Sequence, residues 1–503
     1  MSNPAEKPTN VRYGVLGFAC VLSMITYLDR VCFGTVAPFV QSEFGLDPAQ
    51  MSWIFGAFTF AYAVFEVPTG WLGDVFGPRK TLIRIVLWWS FFTALTGSIY
   101  PSLFFSPFVA MLAVRFFFGI GEAGAYPNIA RAFHNWFPYN ERGFAKGTVW
   151  MAGRFAGGVT PFIVLALLYE SHSADDLGLH ADTHWRHIFW IFGGIGVVWC
   201  LLFWWWFRDR PEEKTGVNSA ELALIHSGDP HAAAPQAALS ADEIREGEAP
   251  LHADAAATGA HAGRIQVPWG KLFTSPNLWL ICFMYFCASY GWYFNITYLP
   301  GFLKTQFHMD PGEKWSGPWW QYSLMAGMPL LVGSVACIVG GYLTDLFIKR
   351  TGNRKWGRRL FGMLGHGVCA TFYFLSMTVM GIESPWPFVL CIAIATFWND
   401  ITMGAAWASC IDIGGRYSGI VSGCMNTIGN LGGFTANILT GYILKFYTMD
   451  INKDLAPGAY KEAMDFAWVI NFLVFSGVYV AAVFLWLGFD ATKPVAPEES
   501  QTH

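Results

Sequence analysis

Three features of this 503-residue chain predict an all-α membrane protein with twelve transmembrane helices in two six-helix, pseudo-symmetric halves. The first is composition: 54% of residues are apolar, 17% aromatic and only 13% charged. A soluble domain carries about 25% charged residues, so a water-covered enzyme of this length is excluded. The second is the presence of twelve long apolar runs. Roughly twenty such residues cross a bilayer as a helix, and continuous runs of this kind are unlike the ten-residue alternations of a membrane barrel. The third is a polar segment, 209–268, with six runs on either side of it.

The runs can be justified in order. The first (13–37) has Asp29 and Arg30 as its only charges, and a charge at mid-membrane costs about 2.5–3.5 kcal/mol on insertion scales. The second (51–72) carries Glu66 close to Pro68, and the third (81–100) carries Arg84. The fourth (104–128) holds Arg115 and Glu122, seven apart and so on one helix face. The fifth (147–169) opens with "GTVWMAGRFAGG", whose small residues allow close helix approach and whose one charge is Arg154. The sixth (187–207) leads into the polar segment. In the second half come 276–302, with Tyr293 and Asn295; 320–344; 360–381; and 386–411, with Asp400 and, two turns on, Trp407. The last two are 418–444, which contains "GCMNTIGNLGG" and hence Asn426, and 465–488. The resulting organisation is a first half at 1–208, a flexible linker at 209–268, a second half at 269–489 and a tail at 490–503.

With the N-terminus inside, 21 of the 31 Lys and Arg fall on the cytoplasmic side and six on the outside. That asymmetry predicts two cytoplasmic termini in an inner membrane. The first run is too long, and too charged, for a cleaved leader. The ten Cys lie in apolar runs and read as buried small residues, not as disulfides or ligands. His231, His252 and His261 in the linker lack ligand spacing, so no metal and no cofactor are expected. "NIT" at 295–297 lies within a run, where a glycosylation sequon is chance.

After the second run comes "GWLGDVFGPRK" (70–80); after the eighth comes "GYLTDLFIKRTGNRKWGRR" (341–359). Both read Gly, three residues, Asp, then a basic cluster. A parallel repeat of this kind marks transporters whose site lies between the halves. Gly70, Asp74, Gly77, Arg79 and Lys80, and less fully Gly341 and Asp345, resemble the duplicated gate loop of the major facilitator superfamily. A narrower resemblance, to the anion:cation symporters of that superfamily, runs through "YLDR" (27–30), "FEVPTGWLGDVFGPRK" (65–80), "RFFFGIGEAGAYPN" (115–128), "WFPYNERGFAKG" (136–147), "GWYFNITYLPGFL" (291–303) and "MNTIGNLGG" (425–433). It implies alternating access and a carboxylate-bearing cargo, moved with protons in bacterial members.

Asp29 points about 100° away from Arg30 on a helix, so the two do not neutralise each other directly. Arg30, sharing a face with Tyr27, is left to meet a ligand, and the resemblance implies that it binds the cargo carboxylate. The resemblance also implies that Asp29 and Glu122 carry protons, with Arg115 tuning them; the rival reading is a static ion pair with Arg115. Arg154 departs from the Gln that galactonate permeases carry there. It reads either as a second anion anchor or as the partner of an acid such as Glu66. Asp400, with no basic residue in its own run, is protonated, wet or paired across helices, and stands as a third titrating group or a contact for cargo hydroxyls. Tyr62, Tyr293 and Trp407 are candidate cavity aromatics with core packing as the alternative. Asn426 matches a family position that bonds the cargo.

These readings predict a proton-coupled symporter of an organic anion, foremost a sugar acid (hexuronate or aldonate), with aromatic or dicarboxylic acids as the alternative cargo and sodium as the alternative ion. A non-transporting receptor is the rival of another class. The gate loops argue against it, and no nucleophile–base pair or metal-ligand spacing suggests an enzyme. The expected partners are the small anion, protons and the bilayer. Nucleic acid is not expected, and one copy suffices for function.

Overall fold

The computed structural model describes residues 7–101, 106–138, 141–172, 185–227, 268–309, 318–452 and 455–495, in which the regular elements are all helices. The first half contains α1 (Val11–Phe44), α2 (Pro48–Phe76), α3 (Pro78–Thr96), α4 (Pro107–Glu122), α5 (Ala125–Trp136), α6 (Arg142–His172) and α7 (Trp185–Trp206). Two short helices follow, α8 (Ser219–His226) and α9 (Trp269–Thr274). The second half contains α10 (Pro276–Thr297), α11 (Leu299–Gln306), α12 (Trp319–Thr351), α13 (Arg354–Val379), α14 (Trp386–Gly414), α15 (Ser418–Thr448) and α16 (Pro457–Gly488). The pairs α4–α5 and α10–α11 each make one crossing, broken at Ala123–Gly124 and at Tyr298, so the crossings number twelve, six in each half.

Among the described residues, nine crossings are long and apolar enough to span a bilayer on length and mean hydropathy alone. The three that fall short are α3, with Arg79, Lys80 and Arg84 in its first turns, the α10–α11 crossing with its Trp, Tyr and Asn, and α15 with its Asn, Thr and Gly. Several helices overshoot the apolar runs. α1 has 34 residues, about 50 Å at about 1.5 Å per residue, because its ends continue beyond the apolar stretch. Leu201, Trp205, Phe91 and Phe484 stand more than half exposed on the outside of the bundle. Large apolar side chains outward and charges inward is the pattern of a multi-pass membrane protein.

Local chemistry sets the turns. Asp47 caps α2 through a reciprocal box with Gln50, and Pro48 opens the helix. Gly77, at φ +82° and ψ 152°, links α2 to α3 in one residue, a conformation that side chains other than glycine's rarely tolerate.

Each half has its own aromatic core. In the first half Trp199, Phe203 and Phe207 stack in series. In the second, Phe294, Phe302, Phe388, Trp468 and Phe472 interlock across four helices. The halves meet along α2–α15, α6–α12 and α1–α10. With twelve alternating crossings, the first and last described residues, Lys7 and Val495, lie at one end of the bundle, here the termini end. The seam is tightest toward the far end. A Cβ on Gly327 of α12 would sit 1.9 Å from the Gly158 carbonyl oxygen of α6, and one on Gly34 of α1 would sit 2.0 Å from the Ile296 carbonyl oxygen of α10. At the far rim Lys445 Nζ is 2.9 Å from Asp47 Oδ2.

At the termini end the segment after α7 is tied to the first half. Glu221 of α8 is fully buried and accepts from Arg12 and the Thr9 hydroxyl, and Arg12 also pairs with Glu141. The rest of the expected linker, 228–267 with His231, His252 and His261, lies outside the described residues, as does the tail beyond 495. Residues 490–495 dock back: Asp490 N–H donates to Asn277, and Val495 N–H donates to the Ile413 carbonyl. The ten Cys are free thiols; Cys20, Cys337, Cys391 and Cys424 are only half-buried, which corrects the expectation that all are buried.

Candidate functional site

The middle of the bundle buries three arginines, Arg30, Arg115 and Arg154, and four carboxylates, Asp29, Glu66, Glu122 and Asp400. With all of them ionised the group carries a net charge of −1.

Arg30 of α1 reaches α4, where its Nε donates to Glu122 Oε1 at 2.7 Å. Its guanidinium lies 4.6 Å from the Tyr62 ring centroid, 5.3 Å from that of Phe58 and 5.7 Å from that of Tyr27. Arg30 Nη2 and Glu122 Oε2 have no partner, although both are buried. The sequence suggested Arg115 as the charge beside Glu122. Instead Arg115 packs over Phe33, Phe118 and Phe58 at 4.4, 4.5 and 5.1 Å, with Nε unpartnered. Two turns on one helix separate side chains by about 10 Å along the axis, so a shared face does not bring them into contact. Asp29 does turn away from Arg30, as helix geometry requires. The charges that act on it are Glu122 and Arg115, and its Oδ1 has no hydrogen-bond partner.

Two polar contacts of this central group cross the seam. Arg154 Nη1 of α6 is 2.7 Å from Asp400 Oδ2 of α14. This is an ion-pair distance, but the N–H is not aimed along it, and both atoms lack an aligned hydrogen bond. Asp400 is thus paired across helices, and its other oxygen accepts from Asn399 Nδ2 at 3.2 Å. The second contact joins Glu66 of α2 to the Asn426 amide of α15, which donates to it in a short hydrogen bond. Glu66 is therefore not the partner of Arg154.

Aromatics fill the space between. Tyr27 meets Trp292 of α10 at 6.1 Å, and the Arg154 guanidinium lies 5.0 Å from the Trp292 ring centroid. Tyr27 fits because Gly153 and Gly157 face it: a Cβ at either would come within 2.7 or 3.1 Å of its ring. Trp407 approaches Trp150 across the seam at 5.9 Å, and Trp150 stacks on Tyr126 at 4.4 Å. Tyr293 donates to Asn430 at 2.9 Å within the second half, and Asn295 donates to Thr396; both lie on the α10 crossing but are engaged inside their own half. Sequence reasoning missed Tyr126, Trp150 and Trp292. The break after α4, signalled by Gly124 and Pro127, is what brings Tyr126 inward.

The gate-loop residues sit at the termini end. Arg79 N–H donates to Asp209 at 2.8 Å and its guanidinium donates to the Trp204 carbonyl, both near the C-terminal end of α7; Lys80 is exposed. Asp74 lies in the last turn of α2. The tightest approach in that loop is at Gly73, where a Cβ would strike the Asn128 side chain at 1.8 Å; at Gly70 the nearest atom, on Pro127, is 3.1 Å away. In the second copy a Cβ on Gly341 would meet nothing, and the close contact falls to Gly340, 2.3 Å from the Ile401 carbonyl oxygen. Asp345 is 3.6 Å from Arg358, whose nearer partner is Asp412 at 2.9 Å.

The Major Facilitator Superfamily model matches residues 19–437, most of the chain and both halves of the seam. The chain belongs to that superfamily. It is thus a multi-pass membrane transporter by family. It is 31% identical over 434 residues to a probable sulfoacetate transporter, SauU, of Cupriavidus necator, covering 86% of this chain and 87% of that one. It is 26% identical over 452 residues to a probable galactarate/D-glucarate transporter, GudP, of Escherichia coli, covering 88% and 89%. A D-galactonate transporter of Escherichia coli O6:H1 is 25% identical over 452 residues, covering 88% of this chain and 91% of that one. Among solved structures, a bacterial homologue of the human lysosomal transporter Spinster, inward-facing and unoccupied, superposes with a TM-score of 0.68 at 18% identity, covering 95% of this chain and 98% of that one. That likeness establishes the fold.

Proposed function

We propose that the chain is a proton-coupled symporter of small organic anions that works by alternating access. Its foremost cargo class is a sugar acid, with short dicarboxylic or sulfonated acids beside it. The observation that carries this reading is the buried charge balance: three arginines against four carboxylates, net −1 when all are ionised. An anion joining that group adds charge of the wrong sign to a low-dielectric interior. Its entry is favourable only if carboxylates take up protons at the same time.

The residues divide accordingly. Arg30 offers the cargo carboxylate a guanidinium with a free Nη2, and its planar fork suits that partner better than an ammonium would. Glu122, when protonated, releases Arg30 to the cargo. Asp29 is the second proton carrier, and Arg115 holds positive potential beside both. Tyr62, Tyr27, Trp407 and Asn426 line the path, and Tyr293 supports it from within the second half. The small-residue contacts at the far end close that side. The loops at Gly70–Lys80 and Gly341–Asp345 close the other when the halves rock. The relatives named for sulfoacetate, galactarate, glucarate and galactonate support an acidic cargo. By charge distribution the termini end is cytoplasmic in an inner membrane, and a single copy is the working unit.

The test is uptake into proteoliposomes of the full chain under an imposed pH gradient, with labelled glucuronate, galactonate, glucarate and sulfoacetate. Accumulation that follows the proton gradient and is abolished by a protonophore is expected. Accumulation that follows a sodium gradient instead, or none of any acid, defeats the reading.

A further inference from the structure

Two of the bundle's arginine–carboxylate pairs differ in quality. Near the far end Arg186 grips Glu43 with both terminal nitrogens, Nη1 at 2.7 Å and Nη2 at 2.6 Å, each a well-formed hydrogen bond. That forked geometry is what a structural pair attains when nothing competes for it. Arg154 and Asp400 are more deeply enclosed, yet they make one misaligned contact, and Arg154 Nε and Nη1 both lack an acceptor. A buried guanidinium in this condition retains unused donors, and leaving them unmade is costly.

The position of Arg154 matters as much as its geometry. It lies on the seam with its partner on the other half. Arg115, the third arginine of the central group, is walled in by three phenylalanine rings of its own half. Between Arg30 and Arg154 stand one tyrosine and one tryptophan. Arg30 is 5.7 Å from the Tyr27 ring centroid, Tyr27 is 6.1 Å from Trp292, and Trp292 is 5.0 Å from Arg154. Two guanidiniums with free donors thus flank a pair of flat apolar surfaces, which suits a short carbon chain with an acidic group at each end.

Building on the anion-transport reading, we propose that Arg154 is a second anion anchor, occupied between transport events by Asp400, and that the cargo is a short dianion whose acidic groups reach Arg30 and Arg154 on either side of the Tyr27–Trp292 pair. Asp400 is then an internal competitor: it fills the anchor poorly, so a dicarboxylate or sulfocarboxylate displaces it. A monoanion uses Arg30 alone and leaves the Arg154–Asp400 contact in place.

The experiment is calorimetric binding to the purified full chain with ligand pairs that differ in the second acid: glucarate against gluconate, and sulfoacetate against acetate. The wild type should favour each dianion by about tenfold or more, the scale of one additional charge-assisted contact. Arg154→Gln should remove most of that preference and leave gluconate affinity within about twofold. Asp400→Asn should tighten glucarate several-fold and leave gluconate unchanged, a gain that damage to the fold cannot produce. Arg154→Lys, which keeps charge but not the fork, should fall between wild type and Arg154→Gln. Equal affinities for the paired ligands in the wild type overturn the proposal, as does an equal loss for both in Arg154→Gln or weaker glucarate binding in Asp400→Asn. Binding of gluconate without preference for glucarate refutes the second anchor alone, whereas binding of none of the four acids refutes the anion-transport reading beneath it.

Discussion

Replacing Gly327 with alanine drives a methyl group into the carbonyl oxygen of Gly158. The added Cβ would stand 1.9 Å from that oxygen, whereas ordinary contact begins at 3.4 Å, so α12 and α6 must separate by about 1.5 Å. Neither side of the contact can yield by a rotamer change, because the obstructing atoms are backbone on a different half. Overpacking of this kind costs about 1–3 kcal/mol. If the halves rock, the cost falls on the state closed at the far end and is relieved when that end opens. An energy of that size shifts a two-state balance by about 5- to 150-fold. The assay is the distance distribution between spin labels on the far rims of the two halves, in a cysteine-free background. Gly327→Ala should move population to the longer distance. Gly423→Ala on α15, whose Cβ would meet nothing within 4 Å, should leave it unchanged. An unaltered distribution in folded Gly327→Ala protein means that the α6–α12 contact does not hold the far end shut.

Arg30→Lys keeps the charge but loses the fork and the free Nη2, and should weaken gluconate and glucarate binding by about tenfold or more by calorimetry; near-normal affinity removes Arg30 from the anchor role. Asp29→Asn and Glu122→Gln should each abolish pH-driven accumulation while at least one retains cargo exchange across liposomes. If both still concentrate cargo along a proton gradient, these carboxylates are structural. Outside the spans, burial works against an ionised Asp490, but hydrogen bonds from Lys355 and Thr492 outweigh it and hold the carboxyl down to about 2. A depressed value stabilises the folded chain above the ordinary carboxylate range, and this contribution is lost as pH falls through about 2. Asp490→Asn should therefore lower the Tm at neutral pH, with the difference from wild type shrinking below about pH 4; a constant difference across that range refutes the linkage.

Much of this architecture is legible in the chain, because bilayer thickness imposes a length on every crossing and a repeat betrays the second half. α1, α2 and α12 begin and end within a few residues to a full turn or two of their apolar runs. What periodicity could not supply is which face opposes which. Arg115 and Glu122 share a face of α4 yet do not pair, because helix rise keeps them apart and Arg30 arrives from α1. The partners of Arg154 and Glu66 lie on the other half, hundreds of residues away in the chain, and nothing local to either residue announces them. The kink that turns Tyr126 inward was marked by Gly124 and Pro127, but a break in a helix does not reveal what it aims.

The contrast between the two kinds of contact has a consequence for how such a protein changes over generations. Inside each half, rings such as Phe294, Phe302, Phe388 and Phe472 depend on one another, so a substitution there is felt by the whole core. Along the seam the polar contacts are few and separate: an ion pair at Arg154, hydrogen bonds at Glu66, Ser323 and Trp53, and a rim pair at Lys445. Each can be exchanged without disturbing the others. Substitution is therefore expected to be costly in the bodies and cheaper in the joint, so that a handful of seam residues is where a change of cargo would least disturb folding.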